Sequence, residues 1–191
     1  MANVWALVLA AGASSRFGGI KALAPWQGGT LLLTALTTAQ TVCGKNVMIV
    51  TGAHHNALLP HLSTCHHVYN SDWAAGMGSS ITCGINGILQ QDPAANIILI
   101  LPVDQPFVTA AHLQALIDQA DALHGVAFTT DGTITGPPAA IHHELFNLVQ
   151  QLPPDGGLKQ IAACLPSASV FHNKALIDLD TPDQFSQHAN Q

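Results

Sequence analysis

The chain has 191 residues, a length suited to one domain, and 48% of them are apolar, ample for a core. Only 8% are charged and the net charge is −6 with histidine neutral, which argues against a nucleic-acid groove or an anionic membrane surface as partner. No apolar stretch approaches the ~20 residues of a membrane span, and no basic region precedes the N-terminal apolar run, so a secretory signal is not expected.

The first predicted element is a strand over Val4–Leu9, and it runs into a loop of small residues. Leu7 to Lys21 reads LVLAAGASSRFGGIK and holds two of the five basic side chains; Arg16 is the only arginine. A loop with so little side-chain bulk lets backbone N–H groups point at an anion, most often phosphate. Arg16 and Lys21 add full positive charge beside it. Two familiar phosphate loops are excluded by counting. Gly12 and four further residues lead to Phe17, not to a Gly-Lys pair, and Gly12 is followed by Ala13-Ser14, not by x-Gly.

A helix follows over Thr30 to Val42, with Thr30 as N-cap and Gly44 as stop. Val47–Val50 is the next strand, Ala53–Leu62 a short helix ended by Pro60, and Val68–Tyr69 a short strand. The segment Tyr69-Asn70-Ser71-Asp72-Trp73-Ala74-Ala75-Gly76-Met77-Gly78-Ser79-Ser80-Ile81 is a loop opening a helix over Ser79–Gln90. Gly76 lets a ligand approach the backbone, and the Ser79 and Ser80 hydroxyls are candidate contacts for a base or a phosphate; an ordinary Ser N-cap would look the same. Ile97–Leu101 is a strand buried on both faces, and Thr109 caps a helix to Leu123.

The rhythm then changes. Val126–Thr129 and Thr133–Thr135 flank Asp131-Gly132, a hairpin signal. Helices are expected over His142–Gln151 and from Gly156 to Cys164, and strands over Val170–Phe171 and Leu176–Leu179. A capping box at Thr181-Pro182-Asp183-Gln184 starts a terminal helix. The fold class is therefore α/β: three Rossmann-like αβα layers on a mostly parallel sheet, with an antiparallel edge or hairpin. Ligands of such sheets bind at the carboxyl ends of the strands.

Asp104 lies just past the buried strand, in Pro102-Val103-Asp104-Gln105-Pro106-Phe107. A carboxylate held there, facing a phosphate loop, suits Mg2+, which takes one or two carboxylates plus substrate phosphates. Asp178 and Asp180, two apart, would share one face of a strand. Asp180 is the candidate second ligand, with Asp178 its rival. His54, His55, His61, Cys65, His66 and His67 are close in sequence but fit no zinc spacing. Cys43, Cys65, Cys83 and Cys164 form no C-x-x-C pair and read as reduced thiols of a cytoplasmic protein.

The first loop, N-x-D-W-A-x-G-M-G-S-S, P-x-D-Q-P-F and D-x-D-T-P-x-D occur in this order from Val4 to about Phe185. The set resembles the molybdenum cofactor cytidylyltransferase family, among the molybdopterin nucleotidyltransferases. The resemblance implies a single nucleotidyltransferase domain over 1–191 that transfers CMP from CTP to molybdopterin with Mg2+ and releases pyrophosphate, and a molybdoenzyme or its chaperone as recipient of the product. It implies nucleotide binding at Ala11, Gly12, Arg16 and Lys21, metal at Asp104 and, by likeness to a related cytidylyltransferase, base contact at Ser80; beside these, Leu9, Ala10, Gly76 and Ser79 are nucleotide-binding candidates, Arg16 and Lys21 are expected to carry catalysis, and Asp180 is the candidate second metal ligand. The chain departs from the family at Gly136-Pro137-Pro138 and at Pro154-Asp155-Gly156-Gly157-Leu158-Lys159, segments expected on the acceptor side. Three rivals remain: the same transfer with GTP, another phosphorylated acceptor, and a non-catalytic nucleotide-binding protein.

Overall fold

The structure is a computed structural model that describes residues 2–162 and 165–189. Strand β1 (Val4–Ala10) leads through the glycine loop to a small hairpin, β2 (Pro25–Trp26) and β3 (Gly29–Thr30), and then to helix α1 (Leu31–Cys43). The Thr30 hydroxyl caps α1 by accepting from the Leu33 N–H, and Gly44 closes it. There follow β4 (Val47–Thr51), the short α2 (His55–Leu58), β5 (His66–Tyr69), α3 (Met77–Gln91), β6 (Ile97–Pro102) and α4 (Ala110–Leu123). Then come β7 (Val126–Thr130), β8 (Thr135–His142), the short α5 (Phe146–Val149) and α6 (Leu158–Ala162), β9 (Ser167–Phe171) and α7 (Pro182–Ala189).

Seven strands form one sheet in the order β5-β4-β1-β6-β8-β7-β9. β1 pairs in parallel with β4 and β6, and β7 in parallel with β9; β8 alone runs against its neighbours. Strands buried on both faces put alternate residues into two cores. Ala6, Val8, Ile97 and Leu99 pack with α1 and α4 residues such as Leu32, Leu36, Leu113 and Leu116. Trp5, Leu7, Ile98 and Ile100 pack with Ile81, Ile85 and Ile88 of α3. At Gly84 the helix lies so close that any β-carbon would collide with Leu7.

The expected α/β class is present, and so is the hairpin, but three expectations change. β8 lies inside the sheet, not at its edge, and it runs on to His142, where a helix was expected to begin. Pro137 and Pro138 hid this continuation. They sit where the β7–β8 register shifts between Phe128 and Thr129, and pairing with β6 begins only at Ala139. Neither proline is therefore asked for the N–H that it lacks. The third change is at Leu176–Leu179, which forms no strand. Its apolar pattern anchors a loop instead: Ala175 and Leu179 are fully buried, and the Leu179 N–H donates to the Asp104 carbonyl at 3.1 Å. The helix expected to reach Cys164 is described only to Ala162; residues 163–164 lie outside the described residues.

Candidate functional site

β1 has β4 on one side and β6 on the other, so the carboxyl ends of these parallel strands open on a topological switch point. A cavity of about 390 Å3 lies there. Leu9, Ala10, Ala11, Gly12, Arg16, Lys21, Gly76, Ser80, Asp104 and Asp180 all line it. Ser79 does not. Its hydroxyl accepts from Asn70 Nδ2 at 2.9 Å and lies 2.8 Å from the Gly76 carbonyl oxygen, tying the loop to the helix start.

The glycine loop presents unused donors. Ser14 takes a left-handed conformation (φ 53°), and its carbonyl accepts from the Phe17 N–H. The Ser14 hydroxyl accepts from the Lys21 N–H at 3.3 Å. The N–H groups of Gly12, Ala13, Ser14, Ser15 and Arg16 have no acceptor among the described residues. Such a run of free donors is what an anion needs. The N-terminus of α3 adds to it, because Gly76 and Met77 face the cavity from the other wall. Gly76 is required by its backbone: φ is 128°, and a β-carbon would lie 2.7 Å from the Cα of Asp155.

Below the loop, four charges close on one another. Lys21 Nζ lies 2.6 Å from Asp104 Oδ2 and 2.6 Å from Asp180 Oδ1, and Arg16 lies 2.8 Å from Asp180 Oδ2. Burial works against the charge on Lys21, but Asp104 and then Asp180 outweigh it and raise its pKa above the ordinary lysine value. Burial likewise disfavours the Asp180 carboxylate, yet Lys21 and Arg16 hold it below its usual range. The Arg16 side chain is 73% exposed, so it reaches the cavity from solvent. The two carboxylates converge on one ammonium nitrogen. That set of hard oxygens matches what a divalent cation such as Mg2+ takes, so the residues present fit the metal.

Asp178 parts from Asp180. Its carboxylate accepts from Gln105 Nε2 at 2.8 Å and makes no ion pair with Lys21 among the described residues. Burial pushes its pKa up, and Asp104 and Asp180 add to this against the Gln105 hydrogen bond. The segment is not a strand, so strand alternation does not set a common face for the pair.

Four further residues line or support the cavity without having been singled out as site residues from the sequence. Asn70, 4% exposed, donates to both Ser79 and Ser80 and accepts from the Asp72 N–H. An Asn-x-Asp directly after a strand was the available signal. His54 Nε2 lies 3.0 Å from the Ala13 carbonyl, and Trp73 packs beside Gly52. Pro154 lies against the Gly76 turn and accepts from the Ser79 N–H. The His54–His67 run gathers no group of three ligands among the described residues. His55 stacks on Tyr69, and His66 lies against Trp5.

Comparison with known proteins gives the family and the fold. The chain is 24% identical over 190 residues to the molybdenum cofactor cytidylyltransferase of Escherichia coli (strain K12), covering 97% of this chain and 95% of that one. It is 38% identical over 120 residues to the nicotine blue oxidoreductase of Paenarthrobacter nicotinovorans, covering 60% of this chain and only 55% of the relative. A crystal structure from Mycobacterium tuberculosis H37Rv has a TM-score of 0.85 at 24% identity and covers 100% of this chain and 98% of its own. The same protein in complex with manganese has a TM-score of 0.79 at 22% identity, covering 99% of each chain. The MobA-like NTP transferase domain matches residues 6–170, from inside β1 to the penultimate residue of β9, and this chain belongs to that family of nucleotidyltransferases.

Proposed function

We propose that the protein transfers CMP from CTP to a phosphorylated acceptor, molybdopterin, and releases pyrophosphate. The observation that carries the reading is the Lys21 bridge between Asp104 and Asp180, directly below a loop of free backbone donors. The residues 1–191 act as one nucleotidyltransferase domain in this reading. The free thiols of Cys43, Cys65 and Cys83 suit the cytoplasm, and among the described residues no helix is long and apolar enough to cross a membrane.

An oxygen of the acceptor's terminal phosphate attacks the α-phosphorus of CTP. One P–O bond forms as the bond to the β-phosphate oxygen breaks, and the electron pair leaves with pyrophosphate. The attacking oxygen is already ionised near neutral pH, so no general base is required. The chain's task is to position and to neutralise. The N–H groups of Gly12 to Arg16 hold the triphosphate. Arg16 and Lys21 leave their carboxylate partners for the phosphates and stabilise the charge that builds on the leaving group. Asp104 and Asp180, freed of Lys21, would hold a divalent cation, which supplies charge neutralisation between phosphate oxygens. A neighbour's complex with manganese supports that role.

Ser80 is 5% exposed and accepts from Asn70, which leaves its own proton to offer to a base. Ala11, also buried, lines the same cavity. The test is pyrophosphate release with CTP, GTP, ATP or UTP, each with molybdopterin and Mg2+ or Mn2+. CTP is expected to exceed GTP in kcat/KM by at least about tenfold. A GTP preference overturns the base assignment alone. No release with any nucleotide overturns molybdopterin as the acceptor, and no release with a panel of other phosphorylated acceptors as well overturns the transfer itself.

A further inference from the structure

At the end of the sheet opposite the nucleotide cavity, three side chains from neighbouring elements meet. His142 is the last residue of β8 and pairs with Ile97, the first of β6. His124 caps α4 in a left-handed conformation (φ 49°, ψ 43°). Glu144 lies in the turn after β8. One ligand atom from each of His124, His142 and Glu144 falls within 4.8 Å of the others, the only such group of three among the described residues.

An exposed ion pair explains part of this. His124 Nδ1 is 3.0 Å from Glu144 Oε1, with side chains 62% and 53% exposed, and such pairs contribute little. It does not explain His142. That residue is 4% exposed, its ring centroid is 4.5 Å from that of His124, and its Nδ1 is buried with no hydrogen-bond partner. Buried polar atoms are nearly always satisfied, and an orphan beside two other ligands calls for something to satisfy it.

We propose that His124, His142 and Glu144 form a site for a divalent transition metal of the zinc class, which ties the end of α4 to the end of β8. Two imidazoles and one carboxylate make a three-ligand set with water in the fourth position. Imidazole nitrogen selects zinc-like ions over Mg2+, so this site and the Asp104–Asp180 pair prefer different metals. The site's place at the far end of the strands assigns it to stability, not to the reaction.

The test uses the full chain, stripped with chelator and kept in excess Mg2+ to fill hard-oxygen sites, with Co2+ as the probe. One equivalent of Co2+ should give a visible d–d spectrum that one equivalent of Zn2+ bleaches. His124→Asn and Glu144→Gln, both on the surface, should each weaken binding at least about tenfold while pyrophosphate release stays at the wild-type rate. Saturating Zn2+ should raise the Tm of the wild type by about 5 °C and that of Glu144→Gln far less. Equal binding by wild type and both variants, or no spectrum and no Tm shift, would overturn the site.

Discussion

Lys21 is 9% exposed yet charged, and it is held by partners, not by packing. Its replacement therefore separates folding from chemistry. Lys21→Ala should fold, and should release pyrophosphate roughly 10²–10³ times more slowly, the scale of losing one donor to a developing charge. Near-normal turnover in a folded variant would sink the phosphate-loop assignment. Asp104 and Asp178 make a second contrast. Asp104→Asn keeps size and removes the charge a cation needs, so activity should collapse, with only partial recovery in excess Mn2+. Asp178→Asn, whose side chain faces Gln105, should keep most activity. Steady-state kinetics of both, with thermal melts as control, checks the pair; equal losses would place Asp178 in the metal site. The glycine loop was legible in the sequence because its chemistry is local, fifteen residues carrying both the bare backbone and the two cations. The choice between Asp178 and Asp180 was not. It depends on a bond from the Leu179 N–H to the Asp104 carbonyl, which fixes the residue between them and sends one carboxylate each way.

Helix α4 is joined to the sheet by a polar link inside an apolar core. His112, 5% exposed, lies with Nε2 2.8 Å from the Thr129 hydroxyl, which donates to the Pro138 carbonyl at 2.7 Å. The hydroxyl proton is thus committed, and the His112 ring donates as neutral imidazole. Burial, and then His172 beside it, lower its pKa from 6.5 to about 4. Between these values the unfolded chain binds the proton and the folded chain does not, so stability falls as the pH drops from 6.5 towards 4. The loss should reach up to roughly 3 kcal/mol. Urea unfolding at pH 7 and pH 5 measures it, and His112→Gln should flatten the dependence; an unchanged slope would show that His112 carries no part of it. This link also shows where element-level reading ends. Alternation marked β1, β6 and α4 to within a residue or two. The length and interior place of β8 were missed because prolines argue against an interior strand, and only the register of its neighbours shows that they fall between pairing positions. Leu179 misled for the opposite reason, as apolar spacing served a small cluster with Trp26 and Leu31 beside α7 instead of a sheet.

Over the whole molecule, charge is scarce and its placement uneven. Against eleven acidic residues stand five lysines and arginines, and two of those five are engaged with carboxylates in the cavity. The architecture was legible at this scale because strand–helix alternation leaves few topologies. The order of strands was not, since it depends on pairing between distant segments. The closed quartet of Arg16, Lys21, Asp104 and Asp180 has a consequence for how fast a nucleotide arrives. Two positive and two negative groups cancel, so the empty site projects almost no field into solvent, while the remaining surface is anionic. A triphosphate is then met by mild repulsion and captured only on contact, when it exchanges places with the carboxylates. Most phosphate-binding proteins recruit their ligand through long-range attraction and slow down as salt is added. Here stopped-flow association of nucleotide should be flat or should quicken between low and physiological ionic strength. A steep fall would mean that the cations stand open before the nucleotide reaches them.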